Sequence, residues 1–149
     1  MLVKDLCTVD AVTCTVATSA AEAARLMRER HVGDLVVVDD PGDGRVPLGV
    51  VTDRDLAIEV LAGGLDPALT NVGALMRRPA IIADETEESS AVIDRMRSHG
   101  VRRIPVVDRR GAVSGIVTLD DLLRHLAGEV NSLLAIVDVG LHREQRARR

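Results

Sequence analysis

No phenylalanine, tyrosine or tryptophan occurs anywhere in the 149 residues. Proteins that hold single-stranded nucleic acid stack bases on aromatic side chains, so that mode of recognition is excluded. Any base bound here must sit between aliphatic side chains. Cysteine is almost as scarce. Cys7 and Cys14 are too few for a disulfide framework and lack the CxxC spacing of a zinc or redox motif. No apolar run approaches the roughly 18 residues needed to span a bilayer. The opening MLVKDLCTVD also lacks the basic-then-apolar order of a secretory leader. The expectation is a soluble, cytoplasmic protein with no membrane role. Neither sign of charge dominates: 19 basic against 23 acidic residues leave a net charge of −4, which argues against a broad electrostatic grip on nucleic acid. What the chain does have is aliphatic surface. Hydrophobic residues make up 46% of it, enough for one compact domain or for two small halves sharing a core.

The chain is one unit written twice. At an offset of 69, Val3, Leu6 and Cys7 fall on Val72, Leu75 and Met76, and Met27, Val32, Leu35 and Asp39 fall on Met96, Val101, Ile104 and Asp108. The offset then becomes 66, so that Gly49, Thr52 and Asp55 meet Gly115, Thr118 and Asp121. Three extra residues therefore lie in the first copy's turn, DDPGDGRVP. Within each copy a short β-like piece (residues 12–16 or 80–83) precedes a helical pattern. Ala20, Ala23, Ala24 and Met27, like Ser89, Val92, Ile93 and Met96, repeat at i, i+3, i+4, i+7, and Ser19 and Glu22 are spaced as a capping box. Two apolar runs around a turn then predict a hairpin, at residues 35–38 and 48–51 and again at 104–107 and 112–117. A second helix opens at Thr52 or Thr118. The first of these stops at Gly63-Gly64, where glycine supplies a left-handed C-cap.

Each copy is thus β-α-β-β-α and too small to bury its sheet alone. The predicted fold is α/β (α+β), with the two repeats packed sheet to sheet about a pseudo-two-fold axis. Residues 1–64 form the first unit with its lead-in, 65–71 the linker containing Asp66-Pro67, and 72–128 the second unit. Residues 129–149 form a C-terminal helical extension and a basic tail, REQRARR, read as a solvated end. Val130, Leu133, Leu134, Val137 and Leu141 keep helical spacing in the extension, a stripe that needs a partner.

GVVTDRD and GIVTLDD share the pattern Gly-h-h-Thr-x-x-Asp (h, apolar), placed where a strand ends and a helix begins. A helix N-terminus offers unpaired N–H groups and the positive end of the dipole, which suit a phosphate, and Thr52 or Thr118 adds a hydroxyl. Asp55 or Asp121 presents two oxygens that suit the paired hydroxyls of a ribose. Gly49 and Gly115, lacking Cβ, let a ligand approach the strand backbone. The same Thr-x-x-Asp is also an ordinary N-cap arrangement that needs no ligand, although capping alone does not explain the glycine.

These residues, with IPVVD at 104–108 and the VGALM lead-in at 72–76, resemble the cystathionine-β-synthase (CBS) domain family over nearly all of residues 1–127. The resemblance implies a tandem CBS-domain pair, or Bateman module. Such a module is non-catalytic and regulatory, often dimerises, and binds an adenosine-containing ligand such as AMP, ADP, ATP, NAD or S-adenosylmethionine. It also implies that the threonine contacts phosphate and the aspartate ribose. The run VTDRDLAIEVLAGGLDP looks like small stand-alone bacterial CBS proteins, some of them stress or hypoxia responsive.

Hairpin geometry distinguishes the two clefts, because the start of the first strand lies beside the end of the second. Arg102 and Arg103 are expected near Thr118, whereas Gly33 and Asp34 are expected near Thr52. The principal cleft is therefore expected at Arg102, Arg103, Gly115, Thr118 and Asp121. A second and weaker cleft lies at Gly49, Thr52, Arg54 and Asp55, where Arg54 partly offsets Asp34. Asp53 and Asp120 add negative charge beside the expected phosphate. Cys7 and Cys14 match Met76 and Ala83 and read as packing residues. A small redox or metal protein using them remains the third reading. The four histidines show no ligand spacing, so no metal and no required cofactor is assigned. No catalytic arrangement is readable and the protein is expected not to be an enzyme. The expected partners are the adenosine ligand, a second copy in a homodimer, and an unidentified protein target. The alternative reading is a ligand-free structural or adaptor homo-oligomer acting through protein–protein contacts.

Overall fold

The structure is a computed structural model that describes residues 1–39 and 44–147. Residues 40–43 of the DDPGDGRVP turn and the end of the REQRARR tail lie outside the described residues, as does the side chain of Leu141. Each repeat contributes one three-stranded sheet with the middle strand central. The first holds β1 (Thr13–Thr15), β2 (Asp34–Val38) and β3 (Pro47–Thr52). The second holds β4 (Ala83–Asp84), β5 (Arg103–Val107) and β6 (Val113–Thr118). In both sheets the first pair is parallel and the second antiparallel. Helix α1 (Ala20–Arg30) crosses over between β1 and β2, and α4 (Ser89–His99) does so between β4 and β5. This is the predicted β-α-β-β-α unit, present twice.

The local signals act as the sequence suggests, with three departures. Ser19 Oγ accepts from Glu22 N–H at 3.2 Å and starts α1. Helix α2 (Asp53–Asp55) opens at Thr52 and continues as a π-helical segment, Leu56–Leu61, before Gly64 takes the left-handed conformation with φ +68°. The wider π turn is the first departure. The second is that Ala24 and Ile93 are exposed while Ala20, Ala23, Met27, Val92 and Met96 are buried. The helices thus pack through a narrower stripe than the i, i+4 pattern implies. The third is that residues 80–82 precede the strand: Ala80 N–H bonds the Leu48 carbonyl of the other repeat, and pairing with β5 begins at Ala83.

What joins the halves is an exchange of lead-ins. The N-terminal turn Val3–Asp5 docks on the second repeat, where Val3, fully buried, shares a core with Ala83, Val92, Met96, Ile104, Val106, Val117 and Leu122. Helix α3 (Val72–Leu75) docks on the first repeat, and Val72 and Met76 complete the core of Cys14, Ala23, Met27, Leu35, Val37 and Val51. Backbone bonds repeat the exchange at the same offset. Val3 N–H and Lys4 N–H donate to the carbonyls of Glu87 and Glu85; Val72 N–H and Gly73 N–H donate to those of Thr18 and Val16. The two sheets then meet through a third cluster, Val36 and Val38 against Val113 and Ile116.

The exchange also explains the motif glycines. A Cβ on Gly115 would stand 2.5 Å from the Thr8 carbonyl oxygen, and one on Gly49 would stand 2.5 Å from that of Arg77. Isolated bridges tie Thr8 to Ile116 and Arg77 to Val50 at these points. Gly115→Ala and Gly49→Ala are each expected to push a lead-in off its sheet and to lower stability by about 1–3 kcal/mol. Urea denaturation checks this, and midpoints equal to wild type would mean that the lead-ins dock loosely.

Candidate functional site

Both Thr-x-x-Asp motifs sit at strand-to-helix junctions and fold identically. In the first, the Thr52 N–H and Oγ1–H both donate to Asp55 Oδ2 at 2.9 Å, and Asp55 N–H donates back to Thr52 Oγ1 at 3.2 Å. In the second, the Thr118 N–H and Oγ1–H donate to Asp121 Oδ2 at 2.9 and 2.6 Å, and Asp121 N–H returns a bond of 3.2 Å. Each motif is therefore a capping box that uses aspartate in place of glutamate. The threonine hydroxyl proton and one carboxylate oxygen are occupied within the cap. The other oxygen, Oδ1, has only loose company: Arg77 Nε lies 3.6 Å from that of Asp55 and Arg124 Nη1 lies 4.0 Å from that of Asp121. Both arginines are largely exposed, so neither contact holds its carboxylate firmly.

Gly49 and Gly115 do not open the strand to a ligand as expected. The space above each is filled by the backbone of the exchanged lead-in, at Arg77 and at Thr8. Strand register does place the hairpin entries as expected: Arg103 is paired with Thr118 and Asp34 with Thr52. The Arg102 carbonyl accepts from Leu119 N–H at 2.8 Å, and its counterpart, the Gly33 carbonyl, accepts from Asp53 N–H at 3.0 Å.

The charge contrast between the clefts needs correcting. Arg103 Nε lies 2.9 Å from Asp34 Oδ1, so the arginine that distinguishes the second repeat is already paired with the acid that distinguishes the first. The two hairpin entries meet across the pseudo-axis, and neither charge belongs to one cleft alone. Arg102 and Arg54 remain exposed. The first junction in turn gains Arg77, a cation that sequence reasoning missed. At the repeat offset Arg77 matches Thr8, and only the exchange of lead-ins brings it to Asp55.

Burial raises the pKa of Asp34, Arg103 opposes this in part, and Asp53 adds to it. The folded protein therefore holds the Asp34 proton more tightly than the unfolded chain. The stability tied to that proton is lost as pH rises from the usual aspartate range through the raised value.

A cavity of about 460 Å³ lies elsewhere, lined mainly by residues 9–13 with Leu26, Arg30, Arg45 and Val113. None of the nine predicted site residues lines it. The cysteines belong to different cores: Cys14 is buried in the first, and Cys7 is half-buried against the second. Both are free thiols. Burial pushes the Cys14 thiol up to about 11 and raises that of Cys7. Among the described residues no three His, Cys, Asp or Glu side chains come together as metal ligands, and no helix is long and apolar enough to cross a membrane.

A tandem repeat of this topology, with Thr-Asp caps at both strand-to-helix junctions, defines a class. Compared with known families, residues 3–62 and 72–128 each match the CBS domain. The chain belongs to the CBS-domain family. It is 36% identical to the uncharacterized protein YlbB of Bacillus subtilis over 147 residues, 96% of this chain and 95% of that one. It is 40% identical to hypoxic response protein 1 of Mycobacterium tuberculosis over 104 residues, 70% of each chain. Among solved structures it superposes on the CBS domain pair of protein MJ0100, in complex with 5′-methylthioadenosine and S-adenosyl-L-methionine. That match has a TM-score of 0.75 at 29% identity, and it covers 87% of this chain and 98% of that one.

Two outcomes are expected. Asp34→Asn should gain stability relative to wild type as pH is raised through the window just above the usual aspartate range, read from thermal unfolding. A constant difference between the two would show that the Arg103 contact cancels burial, and a gain by the wild type would show that it outweighs burial. Iodoacetamide at pH 8 should label Cys14 slowly in the folded protein and rapidly in urea. Fast native labelling would revive a redox role.

Proposed function

We propose that the protein is a non-catalytic regulatory module that binds an adenosine-containing ligand (AMP, ADP, ATP, NAD or S-adenosylmethionine) at the two strand-to-helix junctions. The observation that carries this reading is Oδ1 of Asp55, in a buried side chain, and of Asp121, in a half-buried one. Each cap leaves one carboxylate oxygen, held by no short bond, at a helix N-terminus. That geometry suits a ribose hydroxyl, with phosphate drawn to the neighbouring arginines. The adenosine compounds bound by the MJ0100 pair support the same ligand class. In this reading Arg102, Arg103, Thr118 and Asp121 form the principal cleft, and Thr52, Arg54 and Asp55 the second. Gly115 and Gly49 shape the clefts by seating the lead-ins. No cofactor is required.

Regulation follows from the pairing of Arg103 with Asp34. A phosphate that recruits Arg103 competes with Asp34 and weakens a link between the repeats, so bound and free states differ in how the halves engage. A ligand with differential affinity for those states shifts the balance between them, to be read by a protein target or by a second copy in a homodimer. A specific observation favours the adaptor reading instead. The Thr-Asp pairs are complete as caps and the glycines are explained by the lead-ins, so the motif needs no ligand to account for it.

Isothermal titration with AMP, ADP, ATP, NAD and S-adenosylmethionine separates the two readings. Binding tighter than about millimolar is expected, with a loss on the order of tenfold in Asp121→Asn and less in Asp55→Asn. Asparagine keeps the cap oxygen, and thermal unfolding checks that each variant is folded. Absence of binding by all five compounds would favour the adaptor, and equal losses would sink the ranking of clefts.

A further inference from the structure

The last helix, α5 (Leu119–Ala147), is the largest element and the least accounted for. Its 29 residues extend about 43 Å. Among the described residues only its start is anchored: Leu122 lies in the second repeat's core, and its other large apolar side chains whose burial is described are exposed. Their spacing is regular. Leu123, Val130 and Val137 stand seven apart, and Leu126 and Leu133 form a second seven-residue series between them. Alternating steps of three and four make a heptad, with the first series at a and the second at d. A period of 3.5 is that of a seam between two helices, whereas a face packed on a globular core follows 3.6.

We propose that α5 pairs with the α5 of a second copy about a two-fold axis, along the seam of Leu123, Leu126, Val130, Leu133 and Val137. A heptad is self-complementary, so an identical helix presents the matching knobs and holes. The exposed area fits this occupant. Leu133 is 64% and Val137 57% exposed, and Leu134 and Ile136, at 55% and 69%, widen the strip on either side. Side chains of this number and exposure leave on the order of 600 Å² per copy. Two copies reach the roughly 1,200 Å² at which specific interfaces become stable. The polar positions Asn131 and Ser132 fall outside the seam.

This inference rests on the homodimer reading and adds where the dimer forms. Sedimentation equilibrium on the full chain tests it with two double variants. Leu133→Glu with Val137→Glu places like charges in the seam and is expected to reduce the mass from two chains to one, with unchanged thermal unfolding of the repeats. Asn131→Glu with Ser132→Glu adds the same charge to the same helix off the seam and is expected to leave the dimer intact. A wild-type monomer overturns both the seam and the homodimer reading. A dimer that survives the seam variant overturns the seam alone. Dissociation of the off-seam variant also overturns the seam, and so does co-sedimentation of a wild-type monomer with anionic lipid vesicles, which would give the strip to a bilayer surface.

Discussion

Everything in this molecule hangs on the docking of each repeat's lead-in against the other repeat's sheet. Val3 and Val72 occupy equivalent places in opposite cores, and each is fully buried. Burial of a valine contributes about 1.5–3 kcal/mol, so the two of them together supply a contribution that is a substantial fraction of a small protein's net margin. The same segments bring Thr8 and Arg77 over the motif glycines and carry Arg77 to Asp55. Sheet-to-sheet packing through Val36, Val38, Val113 and Ile116 adds contact, but the reciprocal lead-ins decide which surfaces are free to meet.

That constraint changes what the shared motif is for. Thr-x-x-Asp starts a helix and closes on itself, and the glycine before it admits a neighbouring backbone. In the proposed reading, structure and binding use one set of residues in different atoms: Oδ2 belongs to the cap and Oδ1 is left without a short bond. A motif of this kind is held in place by folding even where no ligand binds, which is why its presence alone does not distinguish a sensor from an adaptor. The arginines distinguish them better, since the cap does not use them.

Much of the fold was legible because it is local and doubled. Period changes placed the helices and hairpins, strand pairing put Arg103 beside Thr118, and the Gly63-Gly64 stop was read from backbone chemistry alone. The exchange was not legible. Val3 and Val72 look like members of their own repeats, and nothing in composition says which sheet they cover. Errors at the site follow from that one gap. The role of Gly49 and Gly115, the arrival of Arg77 and the pairing of Arg103 with Asp34 all depend on how the halves are placed against each other. Ile93 shows the complementary limit: its spacing is helical, but the stripe that meets the sheet is narrower than the pattern allows.

The exchange also bears on how the chain is made. Synthesis proceeds from the N-terminus, so the first repeat emerges while the segment that finishes its core, at Val72 and Met76, is still to come. The second repeat waits in the opposite sense, for a turn at Val3 made long before it. The second core does not close until nearly all of these residues have left the ribosome, and contacts from Val3 to Val117 or Leu122 carry the loop-closure cost of distant sequence. A nascent first repeat therefore displays an open apolar groove that fits the Val72 segment of any copy nearby, which makes crowded synthesis the moment when two chains are most apt to trade parts.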